Sequence, residues 1–357
     1  AAAAGEEPEG EPGPKDFVYG EEDFVPCGPG WEGDPGSWLS RFDLALLSGW
    51  DEREAQGLFR YRLGALPTRV LPGPARLVAA LNARRGTERR PPQPVRSLRQ
   101  PFDPTAFNFT RLRRGELLLR LHRAGSAAAP LLVAINASPL VRGHVLLLPE
   151  AARAQAQALQ APALRATLEA ALLSAHPGFR VGFNGLGGCA SVNHLHLHGL
   201  YLPFPLPVES APATPLCPGG PALLRSVPAP AFLFFAAGPA ELDAVSRDVC
   251  RAAEHITDAG LAYNVFATRG DPPGSVGPGG GRGLRVLLWA RRPSFGAKAG
   301  DAFNVALCEL AGFLPLSAET LYNEITEDEA LSSLRQHLLP EPELLSLGKD
   351  LAQLLAE

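Results

Sequence analysis

The stretch that most constrains this chain of 357 residues is 191–201, where three of its eight histidines alternate with leucines. Strict alternation of this kind predicts a β-strand. Side chains two residues apart on a strand share one face, so His194, His196 and His198 line one side, and we expect the leucines between them to face the core. Each imidazole would need hydrogen-bond partners if buried, so this row is a poor choice for ordinary packing.

The loop that leads into this strand covers residues 182–191 and is rich in glycine. Glycines such as Gly187 and Gly188 let backbone N–H groups approach an anion closely. Asn184 and Ser191 add side-chain donors. Together with the three imidazoles, the loop predicts a cradle for phosphate, which is a much stronger signal than a glycine-rich loop alone.

Three interpretations of the histidine row compete. It is a solvent-facing strand with incidental histidines, a zinc site, or a site of nucleophilic catalysis at phosphorus in which the middle imidazole attacks. A zinc ion bound by three histidines needs a fourth ligand or an open position for water. The sequence has no Asp, Glu or Cys close by on the face of the strand that carries the histidines. The glycine loop favours the third interpretation, and we predict neither a metal nor another cofactor.

Two motifs resemble the histidine-triad superfamily of nucleotide hydrolases and nucleotidyltransferases. One is His194-Leu-His196-Leu-His198, and the other lies in residues 136–149, with the pattern Pro-x-x-x-Gly-His-x-Leu-x-x-Pro. Residues 107–110, 182–184 and 191–194 are similar to the GDP-hexose phosphorylase branch. Animal members of that branch act on GDP-D-glucose and plant members on GDP-L-galactose. The resemblance spans residues 101–312 and is most specific at the triad.

The resemblance implies an α+β fold, with an antiparallel sheet of the histidine-triad type and helices, in two fused halves as in galactose-1-phosphate uridylyltransferase-type enzymes. The hydrophobic pattern itself predicts strands, a helix over residues 151–175 and further strands in the first half. Helix, strand, loop and strand recur over residues 240–290, where Arg285, Leu287 and Trp289 stand at the triad position. We infer a duplicated fold with one chemically inactive half.

Three regions follow from these patterns. Residues 1–36 are acidic and rich in Pro and Gly, which predicts a disordered tail. Residues 37–216 form the catalytic half with the triad, and residues 217–357 form the degenerate second half with the C-terminal helices. Residues 84–101 carry arginines among prolines. Such a loop can contact a phosphate or a partner, but we favour a solvated linker.

The resemblance implies a reaction in two steps. His196 attacks the α-phosphorus of GDP-D-glucose to form a covalent guanylyl-histidine, and glucose 1-phosphate leaves. Inorganic phosphate then attacks this intermediate and releases GDP. The implied roles of other residues are phosphate binding by His198, Ser191, Asn184 and the loop glycines Gly187 and Gly188, ribose binding by Asn136, a base pocket of Phe107, Asn108 and Phe109, and orientation of the triad by His194 and His144.

Two alternative functions would use the same residues. Transferases of the superfamily often carry Gln at the third triad position and hydrolases carry His, so His198 keeps general-acid chemistry open. A hydrolase would release GMP by water attack, and a non-enzymatic guanine-nucleotide-binding regulator would not need His196. We favour phosphorolysis. Four histidines outside these motifs receive a structural role, namely His122, His176, His255 and His337.

Composition narrows the partners and the compartment. A formal charge of −4 gives no general attraction to nucleic acid or to anionic membranes, and the chain has no run of eighteen apolar residues that would predict a transmembrane helix. Five scattered cysteines without C-x-x-C spacing favour reduced thiols and a cytoplasmic location. The expected partners are a GDP-hexose and inorganic phosphate, and the resemblance allows a homodimer. The sequence contains no Met, so we expect the initiator to be missing.

Overall fold

The structure, a computed structural model, describes residues 13–25, 31, 39–274, 282–295 and 303–356. The strands are, in chain order, β1 (Lys15–Tyr19), β2 (Thr68–Val70), β3 (Val78–Leu81), β4 (Leu117–Arg123), β5 (Leu131–Ile135), β6 (Val145–Leu148), β7 (Phe179–Asn184), β8 (Leu197–Tyr201), β9 (Ala213–Pro215), β10 (Ala222–Leu224), β11 (Ala231–Ala236), β12 (Ala262–Gly270), β13 (Gly283–Arg291) and β14 (Phe313–Leu316). The helices are α1 (Arg41–Ala55), α2 (Ala83–Glu88), α3 (Ala161–Leu173), α4 (Leu242–Asp258), α5 (Leu307–Ala311), α6 (Glu319–Glu324), α7 (Glu327–Arg335) and α8 (Glu341–Ala356). Within these described ranges, no helix combines the length and the apolar character needed to cross a bilayer.

Eleven strands form one large sheet in the order β1-β4-β5-β6-β8-β7-β12-β13-β11-β10-β9. Neighbouring strands run antiparallel, except that β1 and β4 run parallel at one edge. A smaller sheet has the order β14-β3-β2. The predicted α+β class with an antiparallel sheet and helices is therefore confirmed.

The large sheet repeats itself around its centre, where β7 pairs with β12. Outward from this pair, one side continues with β8, β6 and β5, and the other with β13, β11 and β10. The helices that precede the two central strands, α3 and α4, pack against each other. Two similar halves thus share one sheet, and β13 with Arg285, Leu287 and Trp289 takes the place of the triad strand. The chemical inactivity of this half and the division at residue 216 stay predictions.

Both faces of the large sheet are buried. One face packs against α1, α3, α4 and α8, and the other packs against the small sheet, α5 and α7. Strand β13 shows the alternation that this requires, because Val286 and Leu288 belong to the first core and Leu287 and Trp289 to the second. In β8, Leu197 faces the helices of the first core. The next side chain, that of His198, therefore points to the second face.

The prediction that residues 1–36 are disordered is wrong for Lys15–Tyr19, which forms strand β1. Phe17 and Tyr19 share one face of this strand and are each 5% exposed. The Tyr19 hydroxyl donates to Oε2 of Glu169 at 2.8 Å. The surrounding Glu, Pro and Gly residues hid this short alternation in the sequence. Other parts of the predicted tail, residues 1–12, 26–30 and 32–36, lie outside the described residues.

The helix predicted over residues 151–175 is shorter in the structure. A 3-10 turn at Ala151–Arg153 comes first, and helix α3 begins only at Ala161. Pro162 lies in the first turn of α3, where its missing N–H leaves no helical hydrogen bond unmade. The proline therefore lies at the start of the helix, which explains why α3 begins later than residue 151.

Candidate active site

The histidine strand begins later than the alternation predicts. Strand β8 covers Leu197–Tyr201, so the strand prediction is right there and wrong for residues 191–196. In the earlier stretch the backbone bonds to a side chain instead, since the N–H of His196 donates to Oε1 of Gln157 at 2.9 Å. Leu195 nevertheless lies in the core at 1% exposure, as predicted, which leaves the imidazoles on the opposite side of the chain.

His196 is held in one tautomer. Its Nδ1 atom lies 2.7 Å from the backbone oxygen of His194, and a carbonyl oxygen only accepts, so Nδ1 carries the proton. Nε2 then keeps its lone pair. The ring is 2% exposed and borders a cavity of about 610 Å³. Burial lowers the pKa of His196 to about 4, so the ring is neutral near pH 7 and chemically suited to attack phosphorus.

His194 uses both ring nitrogens to position its neighbours. Its Nδ1 accepts from the backbone N–H of Phe109 at 3.0 Å, and its Nε2–H donates to the backbone oxygen of Ala151 at 3.1 Å. The ring also stacks on Phe109, with centroids 5.4 Å apart. His194 therefore lies behind the cavity wall.

In the part of the chain that the structure describes, no group of three or more His, Cys, Asp and Glu side chains is arranged to hold a metal ion.

A second chain of hydrogen bonds fixes the tautomer of His198. The backbone N–H of Leu140 donates to Nδ1 of His144 at 3.0 Å, so the proton of His144 sits on Nε2. That Nε2 lies 3.1 Å from Nδ1 of His198 and donates to it. His198 must then carry its own proton on Nε2, as a donor at the cavity. Burial lowers the pKa of both rings, and the charge of Arg85 lowers it further, so both are neutral near pH 7.

Asn184 joins the two halves of the protein beside the cavity. Its Oδ1 accepts from Nδ2 of Asn264 at 2.6 Å and from the backbone N–H of Leu307 at 3.1 Å. The same Nδ2 of Asn264 donates to the backbone oxygen of Gly188 at 2.7 Å. Both amide side chains are buried, and Asn184 lines the cavity. The second half thus holds the glycine loop of the first half in place.

The glycine loop reaches the cavity at Gly187 and Ser191. Gly187 has a φ of 74°, a left-handed conformation that a side chain would strain. The N–H of Gly188 donates to the oxygen of Gly185 at 2.9 Å and is committed to the turn. A Cβ atom on Gly188 would meet the backbone oxygen of Tyr263 at 2.7 Å, so this glycine permits close packing against β12. The structure therefore assigns Gly188 to packing and leaves Gly187 and Ser191 at the cavity.

The two predicted asparagines differ in their placement. Asn136 follows β5 at the cavity, and its Oδ1 accepts from the backbone N–H of Ser138 at 3.0 Å. Asn108 is 3% exposed, and its Oδ1 accepts from the N–H of Thr110 at 3.1 Å. Asn108 thus shapes the turn that places Phe109 at the cavity, and its predicted contact with the substrate is not supported. Ribose binding by Asn136 stays a prediction.

The arginine-rich segment of residues 84–101 contradicts the predicted solvated linker. Residue 85 and residues 89–95 of this segment line the cavity beside the histidines, and we call the segment the strap. Gln93 fastens the strap, because its backbone N–H donates to the oxygen of Ser191 at 2.9 Å and its Oε1 accepts from the N–H of Asn193 at 2.8 Å. Three arginines of the strap line the cavity, namely Arg85, Arg89 and Arg90.

The strap arginines surround the cavity with partly desolvated positive charge. Burial lowers the pKa of Arg89 and Arg90, and the nearby charge of Arg85 lowers that of Arg89 further. Like charges held together at a cavity favour an anionic ligand. The sequence contained a usable signal, because Arg85 and Arg89 are four residues apart at the end of α2 and therefore share a face. Proline-rich flanks concealed it.

The described residues 303–312 combine helix packing with a place at the cavity. Helix α5 is buried throughout, while residues 304–309 line the cavity. Glu309 is 5% exposed, and its Oε2 accepts from the N–H of Ala306 at 3.0 Å. Burial raises the pKa of Glu309 to about 7. His337 also lines the cavity, where its Nδ1 accepts from Nη2 of Arg291 at 3.0 Å.

Solved structures with this fold define the class of protein. Yeast Ap4A phosphorylase Apa2 in complex with Ap4A has a TM-score of 0.60 and 14% identity, covering 84% of this chain and 98% of that one. Apa2 in complex with AMP has a TM-score of 0.57. At this identity the likeness concerns the fold alone, in which two similar halves share one large sheet.

Sequence relatives then identify the family. The description "GDPGP1-like, N-terminal domain" matches residues 41–200, and "GDPGP1-like, C-terminal domain" matches residues 224–356. The chain belongs to this GDPGP1-like family. GDP-D-glucose phosphorylase 1 of Homo sapiens is 53% identical over 91% of this chain and 88% of the relative, and that of Danio rerio is 45% identical over 95% and 98%. GDP-L-galactose phosphorylase 1 of Arabidopsis thaliana is 29% identical over 83% and 70%.

Proposed function

We propose that this protein converts GDP-D-glucose and inorganic phosphate to GDP and glucose 1-phosphate through a guanylyl group carried on His196. The observation that carries the proposal is the bond of 2.7 Å from Nδ1 of His196 to the oxygen of His194, which leaves Nε2 as a nucleophile at the cavity. The activity of the relatives named above supports the choice of substrates. No observation favours water attack or a purely regulatory role.

In the first step, Nε2 of His196 bonds to the α-phosphorus and the bond from that phosphorus to the bridging oxygen breaks. The electron pair leaves with glucose 1-phosphate, a weak base that needs little protonation. Charge spreads over the non-bridging oxygens of the α-phosphate in the transition state. Nε2–H of His198 and the hydroxyl of Ser191 stand at the cavity as donors for these oxygens, and such fixed donors do most of the catalytic work.

In the second step, an oxygen of inorganic phosphate bonds to the α-phosphorus while the bond to Nε2 breaks, and GDP forms. Arg85 and Arg89 supply the positive charge that holds this phosphate. Arg85 and Arg89 would also hold the β-phosphate of the substrate in the first step. The β-phosphate leaves the α-phosphorus in that step and inorganic phosphate bonds to the α-phosphorus in the second, so both occupy the same place. A site filled by phosphate leaves little room for a water molecule as the attacking group.

Trapping with GDP-D-glucose labelled at the α-phosphate tests this proposal. Enzyme incubated with this substrate without phosphate and then quenched should carry label on His196, and addition of phosphate before the quench should release the label as GDP. The variant His196→Gln should bind GDP but take up no label. Accumulation of GMP at saturating phosphate would contradict phosphorolysis, and full turnover without labelled enzyme would contradict the covalent intermediate.

The wider setting also belongs to this proposal. We propose that the protein works in the cytoplasm as a homodimer, without a metal or cofactor, and with neither nucleic acid nor a membrane as a partner. The scattered cysteines and the net charge of −4 support the compartment and the partners. Sedimentation equilibrium tests the dimer, and full activity after treatment with a chelator is the outcome expected of a reaction without metal.

A further inference from the structure

The cavity has two chemically different ends. Arg85 and Arg89 lie near Glu309 at one end, since the charges of Arg85 and Glu309 both act on Arg89. Arg90 lies near Arg60, whose charge lowers the pKa of Arg90, and near Glu116, whose charge raises it, and we assign this group to the other end. His196 and His198 lie along the cavity wall between these groups. The first end is suited to phosphate and sugar.

The second end has apolar walls. Phe109, Leu112 and Leu146 line the cavity there and belong to a small hydrophobic cluster separate from the two main cores. Flat apolar walls with a few polar groups at the edge are what a nucleobase needs. The end that holds Glu116 is therefore the base end.

Glu116 offers an oriented acceptor at the base end. Its residue is 8% exposed, and its Oε2 accepts from the backbone N–H of Arg113 at 2.9 Å, which fixes the carboxylate. Its Oε1 makes no hydrogen bond within the part of the chain that the structure describes. Glu116 lines the cavity, so Oε1 is placed to accept a hydrogen bond from a ligand that donates.

Arg90 offers the complementary donor. Its guanidinium carbon lies 3.4 Å from the centroid of the Phe107 ring, which holds the side chain flat against that ring. The backbone N–H of Arg90 also donates to Oγ of Ser138 at 3.4 Å. A stacked arginine presents its N–H groups at the edge of its plane. Glu116 and Arg90 thus bring one acceptor and one set of donors to the same end of the cavity.

We propose that Glu116 reads the guanine base by accepting from its N1–H and its 2-amino group, and that Arg90 donates to O6 or N7. Guanine presents two adjacent donors to a carboxylate, whereas adenine presents the acceptor N1 at the same place and would be repelled. Arginine is the usual partner of guanine O6 and N7. This inference rests on the proposed function, and it makes Glu116 the residue that determines base specificity.

The substitution Glu116→Gln tests the proposal, because an amide can accept from the 6-amino group of adenine and donate to its N1. We expect kcat/KM for GDP-glucose to fall about 10- to 100-fold and kcat/KM for ADP-glucose to rise. The wild type should prefer GDP-glucose over IDP-glucose, which lacks the 2-amino group, by about 10-fold, and this preference should shrink in Glu116→Gln. A ratio of GDP-glucose to ADP-glucose turnover that stays within about threefold of the wild-type ratio overturns the assignment.

Two further variants keep the test decisive. Glu309→Gln removes a carboxyl from the opposite end of the same cavity and should leave the base preference unchanged, whatever it does to the rate. If Glu116→Gln does not fold, Arg90→Gln should lower the preference for guanine instead, and an unchanged preference there overturns the assignment. Calorimetry with GDP and ADP separates the two proposals. If the wild-type protein binds GDP more tightly than ADP but does not convert GDP-glucose, the proposed reaction is contradicted and the proposed base site is supported.

Discussion

Asn184 and Asn264 face each other across the central strand pair, with Nδ2 of Asn264 donating to Oδ1 of Asn184 at 2.6 Å. They occupy the junction of β7 and β12, where the two similar halves meet. The half without the histidine triad therefore contributes to the site of the other half. Duplication supplied a second strand with a buried amide at the point where the glycine loop needs support.

We expect Asn264→Asp to lower kcat/KM at least about 10-fold and the free energy of unfolding by about 1–3 kcal/mol. The new carboxylate would face Oδ1 of Asn184 and the backbone oxygen of Gly188, which are both acceptors. Steady-state kinetics and denaturant unfolding measure the two effects. The exposed Asn323→Asp is the matched control, and equal behaviour of the two variants would contradict a role for Asn264.

His144 should act on the reaction through His198. His144→Asn removes the donor at Nε2 and should lower kcat/KM about 10- to 100-fold, because His198 can then place its proton on either nitrogen. His144→Gln keeps an N–H near the position of Nε2 and should lose less. Single-turnover rates of guanylyl transfer measure this difference. The tautomer argument fails if the two variants lose the same amount while both remain folded.

The buried histidines should make the fold sensitive to acid. The pKa of His196 in the folded state is about 4, below the value of about 6.5 expected for the unfolded chain. The native protein therefore binds fewer protons. The contribution of the neutral His196 ring to the free energy of unfolding is fully present above about pH 6.5. As the pH falls from there toward 4, this contribution decreases by up to about 1.4 kcal/mol for each pH unit.

The substitution His196→Gln should remove that contribution. Denaturant unfolding at about pH 7 and pH 5 should show a smaller loss of stability for His196→Gln than for the wild type, by up to about 2 kcal/mol. His255→Gln on helix α4 is the control, and it should follow the wild type. An identical pH dependence for His196→Gln would mean that the ring is not buried in its neutral form.

Arg89 should set the affinity for inorganic phosphate. Arg89→Gln should raise the KM for phosphate about 10-fold and increase the share of GMP among the products, because loss of a charge-assisted hydrogen bond weakens the acceptor against water. Arg84→Gln is the matched control, since Arg84 lies on helix α2, which ends one residue before Arg89, but is exposed and paired with Glu88 at 2.8 Å. The measurement is the ratio of GMP to GDP over a range of phosphate concentrations. If both variants give the wild-type ratio, the assignment of Arg89 to phosphate binding is contradicted.

Local patterns predicted much of the fold because they report burial directly. Alternation located Leu197–Tyr201 and the core position of Leu195, and apolar runs located the central strands. The same reasoning failed at Lys15–Tyr19, where only two aromatic residues mark the strand and the composition around them is that of a disordered segment. A short edge strand depends on its partner, here β4, and the partner is distant in sequence.

The candidate site shows the same division. The histidines and the glycine loop were found because their chemistry is concentrated in one segment. The sequence of residues 84–101 predicts a solvated linker because nothing within that segment shows that Arg89 faces a cavity. The resemblance implies a place in the base pocket for Asn108, whereas in the structure its Oδ1 accepts a hydrogen bond from the backbone N–H of Thr110.

By itself the sequence determined which residue can act as nucleophile and which loop can receive a phosphate, since both depend on residue types close together in the chain. Only the tertiary structure decided which nitrogen of each imidazole carries the proton, which arginines face the cavity and how the second half supports Asn184. The physical reason is that a tautomer, a desolvated charge and a buried amide are each fixed by partners that folding brings from elsewhere in the chain.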